Sequence, residues 1–152
     1  MSTTTTMSEL PGLVGTELGS SEWREVTQES VNTFAEATGD HQWIHVDVER
    51  AKAESPFGGP IAHGYLTLSL LVPMLAEVLV VTDTAMGVNY GLNKVRFPSP
   101  VPVGSKVRAT ATLAHVTEFQ GGLQLTLSVA VEREGGDKPV CIAEPIYRYY
   151  GG

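Results

Sequence analysis

The sequence predicts a single α+β domain in which a curved antiparallel sheet wraps round a long apolar helix. Three observations predict it. First, the segment from about Gly64 to Val80 is apolar nearly all round, through Leu66, Leu68, Leu70, Leu71, Met74, Leu75, Val78 and Leu79. A helix of that kind must be surrounded by other structure. Second, from Met86 onward the hydrophobic period shortens to the alternation of half-buried strands. Third, the order of elements is one strand, helices, the apolar helix, then four strands. A sheet covering one side of that helix leaves apolar surface on the other, so a partner subunit is expected.

In chain order, residues 1–10 are expected to be a disordered tail, because Met1 to Thr6 is rich in Ser and Thr. Residues 11–152 are expected to form the domain. Ser20 to Thr27 reads as a strand leading into a turn. Thr27 is a natural N-cap for a helix over Gln28 to Thr38, whose Val31, Phe34, Ala35 and Thr38 lie at helical spacing. Gly39 suits the C-terminal cap. Asp47 to Glu54 reads as a second short helix capped by Asp47, and Ser55 to Pro60 as a loop. Pro73 should kink or divide the long apolar helix. Met86–Phe97, Lys106–Glu118, Leu123–Glu132 and Val140–Tyr149 read as strands, with hairpins at Gly121-Gly122 and Gly135-Gly136. Pro98, Pro100 and Pro102 make an extended crossing between strands.

Composition removes several function classes. The chain has 152 residues, 42% of them hydrophobic and 18% charged, which are the values of a globular domain. Its formal net charge is −7 and no run of Lys or Arg occurs, which argues against nucleic acid as a partner. Leu66 to Val81 is too short for a membrane span and carries Pro73 and Glu77, so no membrane partner is expected. One cysteine, Cys141, permits no internal disulfide, and the cytoplasm is the expected compartment. No signal-peptide pattern occurs at the first residues.

The residues that carry chemistry lie in two places. Gly39 ends a helix and releases the chain into Asp40-His41-Gln42-Trp43-Ile44-His45. Asp40 can hold and help deprotonate a water, and His45 can carry a proton near neutrality. The alternative for this pair is a turn aspartate and a structural histidine. About twenty residues later His63-Gly64 opens the apolar helix. The first N–H groups of a helix lack internal partners, and a glycine there lets a ligand approach them. Together these are the parts needed to add water across a double bond conjugated to a carbonyl. An ordinary loop-to-helix junction is the alternative for His63 and Gly64. A metal is not expected, because no Cys or two-His-plus-Glu helix motif supports one. Tyr90, Asn93, Lys94 and Arg96 are candidates for a CoA-binding groove, with a solvated strand face as their alternative.

These motifs resemble the MaoC-like hydratase/dehydratase family. The resemblance rests on Phe34-Ala-Glu-Ala-Thr-Gly-Asp40, His45, Ala51 and Gly59-Pro-Ile-Ala-His-Gly64. Asp40 to His45 and His63-Gly64-Tyr65-Leu66-Thr67 are similar to its nodulation-protein-N-like branch. The resemblance covers residues 28 to 105 well and the later strands loosely. It implies a hot-dog fold, usually dimeric, so a homodimer or a dimer of dimers is expected. It also implies hydration of trans-2-enoyl thioesters to (3R)-hydroxyacyl thioesters, or the reverse. Asp40 and His45 match the family's catalytic pair, and Gly64 matches the glycine whose amide holds the thioester oxygen. His63 and Gln42 are expected beside them as oxyanion or substrate-binding residues. No cofactor is expected beyond the thioester substrate itself, on CoA or on acyl carrier protein.

The sequence departs from the family's pattern at two points. Gln42 and Trp43 stand where Asn-Pro is usual, and Val72 stands where some members have a serine. Two other activities fit the same residues: thioester hydrolysis on the same fold, and non-catalytic binding of an acyl thioester or a partner protein.

Overall fold

A computed structural model describes residues 1–151. Five α-helices, one 3-10 helix and eight strands follow one another among these residues as β1 (Thr3–Thr5), the 3-10 helix (Met7–Leu13), β2 (Glu17–Ser20), β3 (Arg24–Glu25), α1 (Gln28–Thr38), α2 (Trp43–Val46), α3 (Val48–Glu54), α4 (Gly64–Ser69), α5 (Leu71–Val78), β4 (Leu79–Val81), β5 (Thr84–Arg96), β6 (Lys106–Phe119), β7 (Gly122–Arg133) and β8 (Cys141–Gly151). The large sheet has the order β2-β6-β7-β8-β5, with β3 also paired to β6. All its pairings are antiparallel.

The sheet curls over α5. Leu71, Met74, Leu75 and Val78 of that helix are buried against Val107, Ala109, Ala111 and Leu113 of β6 and Leu125, Leu127 and Val129 of β7. Burying side chains of this size contributes roughly 1.5–3 kcal/mol each, which makes this layer the main source of stability. The inward parity of β6 changes at a bulge between Leu113 and His115, after which Val116 rather than His115 packs on the core.

Pro73 divides the apolar helix, as expected. It has no N–H to give the Ser69 carbonyl, and its ring crowds that group. The helix therefore breaks at Leu70 and restarts at Leu71. It is not buried all round: Tyr65 is 70% exposed and Val72 50%. These side chains lie where the sheet does not reach. Strand β5 borders the same open side and, among the described residues, pairs only with β8. Its Met86, Val88, Tyr90 and Leu92 are all exposed.

Two expectations are corrected. Residues 1–10 are not a disordered tail. Thr3–Thr5 pair in parallel with Leu79–Val81, and the Thr3 hydroxyl donates to the Leu18 carbonyl at 2.7 Å. Leu10 is wholly buried in the core. The threonines are β-branched and suit a strand, and Leu10 supplies the apolar anchor. The single strand expected over Ser20–Thr27 is two short strands. Between them the Glu22 N–H leaves the sheet to bond the Glu77 carboxylate of α5 at 3.1 Å.

Candidate active site

The site is built at the C-terminus of α1. Thr27 caps that helix by accepting from the Ser30 N–H, a contact typically worth about 1 kcal/mol. Gly39 closes it in the left-handed conformation, φ 84°, with its N–H on the Ala35 carbonyl. A side chain there would be strained, and the turn it makes throws Asp40 away from the helix axis.

The next six residues are less irregular than expected, since Trp43–Val46 form the one-turn helix α2. Three contacts hold α2 in place. Ile61 N–H donates to the Ile44 carbonyl at 3.0 Å. His45 Nδ1 lies 2.6 Å from the Ile61 carbonyl, so that nitrogen carries the proton. The Gln28 amide donates to the His45 carbonyl at 2.8 Å. Ile61 itself is pinned by flanking backbone bonds, from Ala62 N–H to Val101 and from Val103 N–H to Pro60. Val101 and Val103, at the end of the proline-rich crossing, thus hold the segment that orients His45.

His45 is 6% exposed. Burial lowers the pKa of its imidazole below the usual 6.5; the Ile61 contact and the Asp40 charge oppose this, and His63 adds to it. With Nδ1 committed to Ile61, Nε2 is the nitrogen that presents a lone pair. Asp40 is exposed. Its carboxylate accepts the Gln42 N–H at 3.4 Å. Asp40, His45 and His63 each bring one polar side-chain atom within 4.8 Å of the others.

His63 is 2% exposed and stands at the N-cap of α4. Its Nε2 lies 3.0 Å from the Asp40 carbonyl. Its ring stacks on His45 with centroids 4.0 Å apart and planes 24° from parallel.

Gly64 follows at the start of α4. A Cβ there would meet the Phe97 ring at 3.1 Å. The glycine lies on a cleft of about 390 Å³ lined by Phe57, Ile61, Thr67, Phe97 and Val101. A second cleft of about 310 Å³ lies farther along the helix, between Leu68, Val72, Tyr90, Leu92 and Tyr147.

The structure therefore brings Asp40, His45 and His63 together, with Gly64 next in the chain. Gln42 is exposed, and among the described residues only its backbone N–H reaches Asp40; Ile61, not Gln42, orients His45. Trp43 turns its ring under Arg50, with the guanidinium 4.2 Å from the ring centroid, and lines neither cleft. The four residues expected to line a CoA groove all lie on β5. Asn93, Lys94 and Arg96 are exposed along β5. Tyr90 lines the second cleft and carries Arg148 at 3.8 Å over its ring. Phe97, not one of the four, is the residue here that meets Gly64. The roles of Ile61 and Gln28 have no sequence signal, because they work through backbone carbonyls.

An antiparallel sheet wrapped round a central helix in this way is a hot-dog fold. It places the chain among small α+β domains. The profile of the family described as "MaoC like domain" matches residues 9–134. The chain is 53% identical over 150 residues to "3-hydroxyacyl-thioester dehydratase Z" of Mycobacterium tuberculosis, covering 98% of this chain and 99% of that one. It is 48% identical over 140 residues to "Nodulation protein N" of Rhizobium leguminosarum, covering 90% and 86%. The solved R-hydratase PhaJ1 from Pseudomonas aeruginosa shares the fold, with TM-score 0.73, 22% identity and coverage of 91% and 83%. The chain belongs to the MaoC-like dehydratase family and is an enzyme, a hydro-lyase. No helix among the described residues is long and apolar enough to cross a membrane.

Proposed function

We propose that this enzyme hydrates trans-2-enoyl-CoA to (3R)-hydroxyacyl-CoA, or runs the reverse dehydration, with Asp40 and His45 as the reacting pair. The observation that carries the reading is His45 itself: its Nδ1–H is spent on Ile61, which frees Nε2, and a ring nitrogen lies within 4.8 Å of the Asp40 carboxylate. A water held between carboxylate and Nε2 has two acceptors for its two protons. Its oxygen bonds to C3 of the enoyl group as one proton passes to Nε2. The π electrons move toward the thioester, whose oxygen gains negative charge. The Gly64 N–H, at a helix start, is the donor for that oxygen. His45 then returns its proton to C2 on the face from which water came. The thioester already activates the alkene, so the chemistry calls for no metal or redox cofactor.

The open side of α5 and the exposed edge of β5 support a homodimer, because a long edge strand with exposed Met86, Val88, Tyr90 and Leu92 is otherwise a liability. Light scattering should give twice the chain mass. The cytoplasm is the fitting compartment for a chain whose one cysteine is buried and unpaired.

The test is to add purified protein to crotonyl-CoA and follow the ultraviolet band of the conjugated thioester, with chiral analysis of the product. Loss of the band with (3R)-hydroxybutyryl-CoA as product is expected. Release of free CoA thiol would instead establish thioester hydrolysis. Inertness toward both short and long enoyl-CoAs would overturn the reading and leave an acyl-carrier substrate or a binding role.

A further inference from the structure

We propose that His63 is a positioning residue, which holds Asp40 and His45 in one fixed arrangement with the first turn of α4. The catalytic half of this proposal rests on the hydratase reading above. His63 is 2% exposed, less than the reacting His45 at 6%. Its side chain makes no cap hydrogen bond to α4, and its Nδ1 is buried with no partner among the described residues. Helix capping therefore does not account for an imidazole here.

Its other contacts do. Nε2–H donates to the Asp40 carbonyl at 3.0 Å. The remaining hydrogen bonds on Asp40 are longer: its N–H to the Thr38 hydroxyl and its carboxylate from the Gln42 N–H, both at 3.4 Å. The bond from His63 is thus the firmest hold on the residue, and fixing its peptide fixes the root of its carboxylate. The ring of His63 does the same for His45. One hydrogen bond to Ile61 anchors an edge of the His45 imidazole but leaves rotation about that contact. Stacking at 4.0 Å on His63 sets the plane. Phe34 of α1 lies 4.8 Å from the His63 ring, so the stack is tied to the helix that delivers Asp40. A leucine at position 63 could fill the space but could not donate to the carbonyl.

Two variants separate the contacts. His63→Gln keeps a donor for the Asp40 carbonyl and loses the ring; His63→Phe keeps a ring and loses the donor. Each is checked for folding by circular dichroism, then assayed with crotonyl-CoA, and the His45 ring nitrogens are read by 15N NMR. In both variants kcat should fall at least about tenfold while KM stays within about threefold, as expected when geometry rather than binding is lost. His45 in the native chain should show a single Nδ1–H tautomer, and His63→Gln should show a mixture. Turnover within about twofold of wild type in both variants, or a KM rise matching the kcat loss, would overturn the proposal. If the native chain turns over no enoyl thioester, the functional reading fails separately. The NMR arm then decides alone: an unchanged single tautomer in His63→Gln rejects the positioning role. Each variant removes a different contact, so one that does not fold leaves the other to decide.

Discussion

His45 gives its Nδ1 proton to the carbonyl of Ile61 across 2.6 Å, and Ile61 gives its N–H back to Ile44 of the same short helix. This reciprocal clamp joins two segments about sixteen residues apart in the chain. It decides which imidazole nitrogen carries the proton and which keeps a lone pair, and so which chemistry the pair can do. A proton on Nε2 instead would leave the water with the Asp40 carboxylate alone as acceptor.

Asp40→Asn and His45→Gln should each lower turnover by at least about 100-fold, the usual contribution of a general acid–base group. Both side chains sit at the edge of the fold rather than in its main core, so the melting temperature should change little for Asp40→Asn. Crotonyl-CoA kinetics on folded variants measure this. Turnover near that of the native chain in either one sinks the mechanism.

The pH dependence has a defined sign. Burial lowers the His45 pKa below 6.5, so the neutral, proton-accepting ring persists into mildly acidic solution. The hydration rate should be flat near neutrality and fall only below pH 6.5. Stability follows the same group. Between the lowered native pKa and 6.5 the unfolded chain binds more protons than the native one, so stability rises with pH across that window. The contribution is complete above 6.5 and lost as pH falls through the native pKa. Melting curves of the native chain and His45→Gln should therefore diverge with falling pH; parallel curves would contradict the assignment.

Gly64→Ala should reduce turnover at least about tenfold, since a lost oxyanion donor commonly costs more than that. The added methyl stands between the amide and a ligand and also presses on Phe97 at 3.1 Å. The double variant with Phe97→Leu separates the two effects. It should recover stability and not turnover. Full recovery of turnover would mean that crowding of Phe97 was the whole effect.

Deleting residues 1–6 should destabilise the domain. It removes the pairing of Thr3–Thr5 with Leu79–Val81, the Thr3 bond to Leu18 and the Ser20 N–H bond to Met1. Net losses near 1 kcal/mol per hydrogen bond, partly recovered by water, suggest about 2 kcal/mol in all. For a chain of this size that lowers the melting temperature by about 4–8 °C. An unchanged melting curve would return these residues to the status of a tail.

Much of this was legible before any coordinates. Helix α1 begins and ends where Thr27 and Gly39 place it, because capping is a local transaction between neighbours. Pro73 announced the break between α4 and α5 for the same reason. The four long strands follow from alternation, with ends displaced by up to two residues. Residues 1–10 misled because polarity was taken for disorder; what orders them is the edge of β4, about seventy-five residues away.

The sequence by itself determined the α+β class, the boundaries of α1 and the motifs that group this chain with MaoC-like enzymes, since each depends on residues close together in the chain. Only the tertiary structure decided how Asp40, His45 and His63 meet, which nitrogen of His45 is free, and that Gln42 points to solvent while Ile61 does the orienting. Those outcomes hang on a backbone carbonyl and on two stacked rings. A backbone carbonyl is the same at every position, so no residue pattern can mark which one will be used; folding alone selects it.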